Sequence, residues 1–525
     1  MLDLTNLTLS LSFVSVLIFL FFISSSKQPT KNPCPDSYPI IGNVIALLRN
    51  HRRFHDWVTE MLSKTPSLTL QVNSFLNLSH GIATANPVNV EHLLVSNFAN
   101  YVKGSRYQDL YELLGHGIFG VDGHLWTTQR KIASHEFSTK SLKKFISEVV
   151  ESEISSSLMP YLARKCDQNS VVDLQQVLQE FTFTSICKVA FGVDPSTTSD
   201  LPFVKAFDDA VENCLSRFIS PLPVIWKIKR YLNVGSEKKF KEDISIVNRF
   251  SMEVIKAKQE KKLEVHEENQ GKNQDLLSRF MLLTSNMEFE ANGNERLFLR
   301  DIIVSFVLAG KDTTASALTW FFWLIAGNPR CATMIQKELS SSKHVGTSSA
   351  QETPAKFSYD ELKKLHYLHA ALSESMRLFP PVAMNTRLTL EDDVLPDGTR
   401  VKKGWFADYS AYAMGRMEGV WGQDCREFKP ERWLTPDGVF KPFDQFRYPV
   451  FHCGQRMCLG KDMAYVQMKA IAASVMHEFD VLAVDGGGSP EKMMNPPYML
   501  TIVLKMRGGL LVRLRRRKRS VRINN

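Results

Sequence analysis

Apolar and polar positions fall into several distinct patterns along the chain. Leu7 to Ile23 is a continuous run of Leu, Val, Ile and Phe relieved only by Thr and Ser, close to the shortest length that crosses a bilayer. No Lys or Arg precedes it, while Lys27 and Lys31 follow. That asymmetry predicts an uncleaved anchor with the body of the protein in the cytosol, against the alternative of a cleaved secretory signal. Pro29, Pro33, Pro35 and Pro39, then Gly42, cannot continue the helix and predict a stiff hinge. Beyond it, helical spacing marks Phe54 to Leu62, and β-like alternation marks Ser67 to Val72 and Gly81 to Ala85. Val171 to Asn248 reads as successive helices broken at Pro195, Pro221, Pro223 and Gly235, with Phe203, Phe207, Phe218 and Trp226 as ordinary core. The charge-rich 256–273 and the Ser/Thr-dense 340–355 read as solvated helix ends or loops.

Asp301 to Ala326 is long and apolar enough to suggest a second span. Lys311 and Asp312 at its centre would each cost about 2.5–3.5 kcal/mol in hydrocarbon, so a helix buried in protein is expected. Ala309-Gly310-Lys311-Asp312-Thr313-Thr314 interrupts it, with Gly310 alone costing about 1 kcal/mol relative to Ala. The spacing is consistent with a local widening of one helix or with a capped break between two.

Composition narrows the classes. The chain has 525 residues, 44% apolar and 23% charged, enough for one large catalytic domain or two smaller ones and incompatible with general disorder. Its 8 cysteines are scattered without a framework, which suits a reducing compartment and predicts no disulfides. Much of the +9 charge lies in Arg513-Leu514-Arg515-Arg516-Arg517-Lys518-Arg519, with no nucleic-acid motif beside it. A solvated basic tail over 513–525, touching anionic lipid, is expected. No repeat and no glycine-rich dinucleotide fingerprint is present.

The candidate chemistry centres on Phe451-His452-Cys453-Gly454-Gln455-Arg456-Met457-Cys458-Leu459-Gly460, just ahead of a helical run from Leu459 to Phe479. A cysteine near a helix N-terminus is poised to become a thiolate, the form that ligates metal. Gly454 and Gly460 leave room for a flat cofactor. Cys458 is otherwise a small core hydrophobe, or half of a zinc or iron–sulfur site with Cys453 and His452, for which no second Cys pair is spaced. Trp126 and Arg130 share a helix face, as do Glu374 and Arg377.

The loop resembles the haem-ligand loop of the cytochrome P450 superfamily, Phe-x-x-Gly-x-Arg-x-Cys-x-Gly, at all five fixed positions: Phe451, Gly454, Arg456, Cys458 and Gly460. The resemblance implies a mainly α fold with a smaller β-rich part, preceded by one anchor helix: 1–28 anchor, 29–44 hinge, 45–512 haem-thiolate catalytic domain, 513–525 tail. It implies haem b (iron protoporphyrin IX) with Cys458 as the proximal thiolate, whose electron donation favours O–O cleavage. By the same resemblance Arg456, Trp126 and Arg130 contact propionates, and Arg387 binds either a propionate or an acidic group of the substrate. Asp312 and Thr313 match the oxygen-activation motif and relay protons to dioxygen. Glu374, Arg377 and Arg432, from Pro430-Glu431-Arg432-Trp433, form a buried triad for folding and haem incorporation.

Electrons from NADPH are then expected to arrive through the membrane-bound diflavin NADPH–cytochrome P450 reductase, docking near Arg447, Arg456 and Lys461. A monomer in the endoplasmic reticulum membrane, single-pass and facing the cytosol, is expected. The blocks at 392–399, 411–417 and 172–175 look like the plant family that hydroxylates fatty acids or jasmonoyl conjugates at or near a terminal methyl. A small hydrophobic lipid is the implied substrate, in a channel lined by Phe119, Phe306, Val382, Met384 and Met499. Alternatives are the side-chain terminal carbon (C-26/27) of a sterol or steroidal sapogenin precursor, and a haem-thiolate hydroperoxide isomerase or dehydratase.

Overall fold

In the computed structural model, residues 35, 37, 42–73, 80–195, 203–220, 223–264, 275–286, 294–342, 356–484 and 490–517 are described. The anchor expected at 7–23 lies outside them, as does most of the hinge. Helix α1 (Phe54–Ser63) leads into strands β1 (Thr69–Asn73) and β2 (His80–Thr84), then β3 (Tyr101–Val102) and α2 (Gly123–Ser134). Strand β4 (Val172–Asp173) and α3 (Leu174–Ile186) precede α4 (Phe203–Phe218), α5 (Pro223–Leu232) and α6 (Gly235–Glu264). The breaks expected around Pro223 and at Gly235 are both present. Of the two readings of the charge-rich stretch from 256, the solvated helix end is present as far as Glu264, because Lys and Glu are good helix formers on a solvated face.

The apolar stretch resolves into α7 (Asn294–Val307), a π turn (Leu308–Asp312) and α8 (Thr313–Ala326). It is a single axis 83% buried within the protein over its most apolar window, as the charges at its centre require. Helix α8 is apolar all round, which is the pattern of a helix enclosed on every side. Its Trp320, Phe321, Phe322 and Leu324 are fully buried. Helix α9 (His366–Leu378) packs beside it, followed by β5 (Asn385–Thr389), β6 (Asp393–Val394), β7 (Arg400–Val401) and β8 (Phe406–Tyr409). Helix α10 (Lys461–Glu478), β9 (Phe479–Ala483), β10 (Tyr498–Met499), β11 (Lys505–Met506) and β12 (Leu511–Arg516) complete the order.

The main sheet runs β1-β2-β8-β5-β3, antiparallel except for the parallel pair β2–β8. A second sheet, β4-β12-β9, contains the boundary drawn after 512. Arg513 to Arg516 therefore belong to the folded domain rather than to a free tail. Arg515 pairs with Asp480 at 2.9 Å and Arg516 with Asp167 at 2.9 Å. Alternation of Val512 and Leu514 inward with arginines outward explains why a run this basic forms a strand.

Among the described residues, burial keeps His55, His369 and His452 neutral. Burial pushes His55 down to about 4 and His369 down to about 2, with Lys469 and Lys461 adding to the latter. Because the folded pKa lies below the unfolded value, the unfolded chain takes up protons first. The stability is present above pH of about 6.5 and is lost as pH falls toward about 4. Thermal midpoints should therefore drop across that interval, and His55→Phe should flatten the slope. An unchanged slope in the variant would contradict the assignment of His55.

Candidate active site

The cysteine loop is held by its own backbone and by α10. The Cys458 N–H donates to Phe451 O at 2.8 Å, and α10 begins three residues later. Gly454 has φ +61°, and a Cβ there would stand 2.5 Å from Leu94 O. The glycine is thus required by a close backbone approach to the segment Leu94–Val95, rather than to clear a cofactor. At Gly460 a Cβ would be in ordinary contact with Phe137 (3.5 Å) and Cys458 Sγ (3.9 Å).

Cys458 keeps an exposed side chain although protein stands close around it. Burial pushes its thiol up, against the Gly460 N–H, Arg130 and Lys461, which pull it down. The helix end alone therefore does not make the thiolate expected from the sequence; a bound metal cation is what deprotonates such a thiol. The neighbouring candidates for a zinc or iron–sulfur site are engaged elsewhere. Cys453 is fully buried with its thiol on Gln445 O at 3.0 Å, and His452 Nδ1 meets the Tyr409 hydroxyl at 2.8 Å.

Cations converge beside the cysteine. Arg456, from the loop, is 9% exposed and pairs with Asp122 at 2.5 Å. Its guanidinium lies 4.4 Å from the Trp126 ring, whose helix α2 also carries Arg130, 5.7 Å from the same ring. Arg130 donates to Met457 O at 2.7 Å. Arg387, on the inner strand β5, is 1% exposed and donates to Thr386 O at 2.8 Å. Burial and then the charges of Arg387, Lys103, Arg456 and Arg130 push His452 down to about 3, and burial pushes Arg456 down to about 10 despite Asp122.

Among the described residues, the Nε atoms of Arg387 and Arg456 are buried without a partner. Such orphaned donors, close in the fold to the Cys458 loop, fit a flat metal-bearing group with anionic arms, as haem has. Asp122 and Lys103 belong to this cluster although the sequence reading did not single them out. A carboxylate placed just before α2 was the available clue. Arg456, buried and turned inward, cannot serve as the docking residue expected from the sequence. Arg447 is half-buried, 4.5 Å from both the Trp421 and Phe443 rings.

On the long axis, the π turn spans Leu308–Asp312. A Cβ on Gly310 would be 2.7 Å from Ile186, so α3 presses directly on the widened turn. Hydroxyls serve the displaced carbonyls: Thr182 donates to Lys311 O at 2.7 Å and Thr313 to Ala309 O at 2.6 Å. Asp312 accepts from Lys311 Nζ at 2.6 Å and from Gln179 at 3.3 Å, with Lys505 Nζ at 3.6 Å. Lys311 and Lys505 also meet Asp208 of α4, at 2.8 and 3.2 Å. Asp312 and Thr313 thus share a turn without bonding to each other. The charge network around Asp312 was not foreseen, although a lysine in so apolar a helix demanded a carboxylate partner.

The triad assembles around Glu374, which is fully buried. Arg377 donates to it through Nε and Nη2, both at 2.8 Å, Arg432 through Nε at 2.9 Å, and Trp433 through Nε1 at 2.9 Å. Burial alone would raise the Glu374 carboxyl, but Arg377, Arg432 and Trp433 hold it below the usual range. Arg377 further donates to the carbonyls of Gly415, Cys425 and Glu427, so two further segments depend on one side chain.

The expected channel residues are all half-buried. Phe119 and Phe306 pack against one apolar cluster that includes Leu308 of the π turn. Met384 packs against a different cluster. Val382 and Met499 lie on segments tied by the bond from Leu504 N to Pro381 O at 2.8 Å.

Comparison with known proteins agrees with this geometry. The family model "Cytochrome P450" matches residues 32–511. The chain is 42% identical over 495 residues to "Cytochrome P450 94A1" of Vicia sativa, covering 92% of this chain and 90% of that protein. It is 41% identical over 521 residues to "Cytochrome P450 94B3" of Arabidopsis thaliana, covering 97% of each. Against "Cytochrome P450 CYP94D109" of Paris polyphylla it is 42% identical over 518 residues, covering 96% of each. The chain belongs to the cytochrome P450 family, monooxygenases that use haem and dioxygen, take electrons from a redox partner and act on small hydrophobic substrates.

Proposed function

We propose that this protein hydroxylates the terminal or near-terminal carbon of a lipid, a fatty acid or oxylipin, with haem b on Cys458 and with NADPH electrons delivered by the diflavin reductase. The observation that carries the substrate class is the apolar cluster that joins Phe119 and Phe306 to Leu308, beside Asp312 and Thr313. An apolar chain held there presents one end to the reacting centre, so position is enforced by geometry. Bound haem supplies the activation of dioxygen. Arg130, Arg387 and Arg456 hold its anionic arms, and Trp126 braces two of those guanidinia. Asp312 and Thr313 handle protons, the acid being held within reach of Lys311 and Lys505.

A membrane location in the endoplasmic reticulum, single-pass and cytosol-facing, fits the apolar run at 7–23. It fits equally the exposed Val224, Ile225, Ile228, Tyr231 and Leu232 of α5, which are interleaved with Lys227, Lys229 and Arg230.

The test is a turnover screen with reductase and NADPH on fatty acids of graded length, jasmonoyl-isoleucine and a sterol, read by product mass and hydroxyl position. Terminal oxidation of at least one fatty acid or oxylipin is expected. Products hydroxylated only in mid-chain would remove the regiochemical reading, and turnover of the sterol alone would favour the sterol alternative. Thr313→Ala should leave substrate binding intact while NADPH consumption continues with little product; unchanged coupling would contradict its role with protons.

A further inference from the structure

Away from Cys458, a cavity of about 1190 Å³ lies between α1, the end of α8, the segment around Arg416 to Phe428 and the approach to β10. Arg52, Arg53, Arg416, Arg426 and Arg507 line it, against Asp56, Glu60 and Glu427. Two of those carboxylates are occupied. Asp56 accepts from the hydroxyls of Tyr412 at 2.7 Å and Tyr498 at 3.1 Å, and Glu60 pairs with Arg53.

Arg416 is the unusual member. It is 6% exposed, with its guanidinium 3.6 Å from the Tyr412 ring. Its Nη1 donates to Leu378 O at the end of α9 and to Tyr412 O at 3.3 Å, whereas its Nη2 has no partner among the described residues. Among the described residues no carboxylate stands within ion-pair distance of it. Asp56 acts on its charge from across the cavity without pairing with it, and a permanently charged group at a cavity wall with no ion-pair partner is further stabilised by an anion supplied from outside.

We propose that this cavity is a binding site for a phosphate dianion, with Arg416 at its inner wall and Arg52, Arg426 and Arg507 presenting further guanidinia. A carboxylate satisfies one such fork. A phosphate dianion offers three acceptor oxygens that several can share. The phosphate can be free or can head a lipid whose chain lies along the apolar wall of Leu324, Phe428, Met493 and Pro496.

Thermal unfolding of the full-length holoenzyme at fixed ionic strength tests it, with inorganic phosphate, short-chain phosphatidic acid and equally short phosphatidylcholine as probes and chloride as the control. Phosphate and phosphatidic acid should each raise the midpoint by about 2 °C at saturation, and phosphatidylcholine should not. Phosphatidic acid acting at much lower concentration than phosphate assigns the site to a lipid; equal concentrations assign it to free phosphate. The double variant Arg52→Ser/Arg426→Ser should weaken phosphate binding at least about tenfold while the thiolate Soret band and turnover stay as in the parent. Arg416→Lys adds a second reading if it folds. No rise beyond chloride, or the same rise in the double variant, would overturn the proposal.

Discussion

Cys458→Ser is expected to give a folded chain that has lost the thiolate-type Soret band and all monooxygenase turnover. Serine is nearly the same size, and the Cys458 side chain has free surface, so no packed volume is lost. The backbone bond from residue 458 to Phe451 O does not involve the side chain and survives. The haem-free protein should therefore change in stability by less than about 0.5 kcal/mol. What disappears is the soft, anionic ligand, because a hydroxyl does not provide thiolate donation to iron. Retention of a thiolate spectrum in this variant would mean that another cysteine is the ligand. Cys453, buried on Gln445 O, is placed to be neither reached nor exchanged.

Glu374→Gln should have the largest effect on folding. Glutamine keeps the shape but removes the charge that balances Arg377 and Arg432, both of which donate directly to the carboxylate. Breaking a buried pair in this way costs about 3–5 kcal/mol, a large part of the stability of any domain. The loss spreads, because Arg377 also holds the carbonyls of Gly415, Cys425 and Glu427 ahead of the cysteine loop. A sharp fall in the haem-loaded fraction and a lower denaturation midpoint are expected. Arg432→Ala should be milder: Arg432 is less buried than Arg377 and divides its bonds between Glu374 and Asp424. Equal stability of Glu374→Gln and the parent would show that the triad is not what secures these loops.

Features that depend on local chemistry were readable in the sequence. A glycine and a charged pair inside an apolar helix pointed to the widened turn at Leu308–Asp312, and the prolines and Gly235 marked helix ends. The glycine-flanked Cys458 and the spacing of Glu374 from Arg377 were likewise visible. Pairings set by tertiary approach were hidden. Nothing local says that Asp208 meets Lys311 and Lys505, or that Gly454 is needed to clear Leu94. The basic run from Arg513 looked like a tail because its alternating inward residues, Val512 and Leu514, become significant only once β9 and β4 are there to pair with β12. The setting of the Cys458 thiol divides in the same way: proximity to a helix end is a local fact, whereas Arg130 and the surrounding protein that act on it are brought there by the whole fold.

The most direct measurement is the difference spectrum of the purified protein, dithionite-reduced with and without carbon monoxide. Ligation by the Cys458 sulfur predicts the strongly red-shifted Soret band of a thiolate-bound haem, lost in Cys458→Ser. A band at the position typical of histidine-bound haem, or no haem absorbance in correctly folded protein, would contradict it.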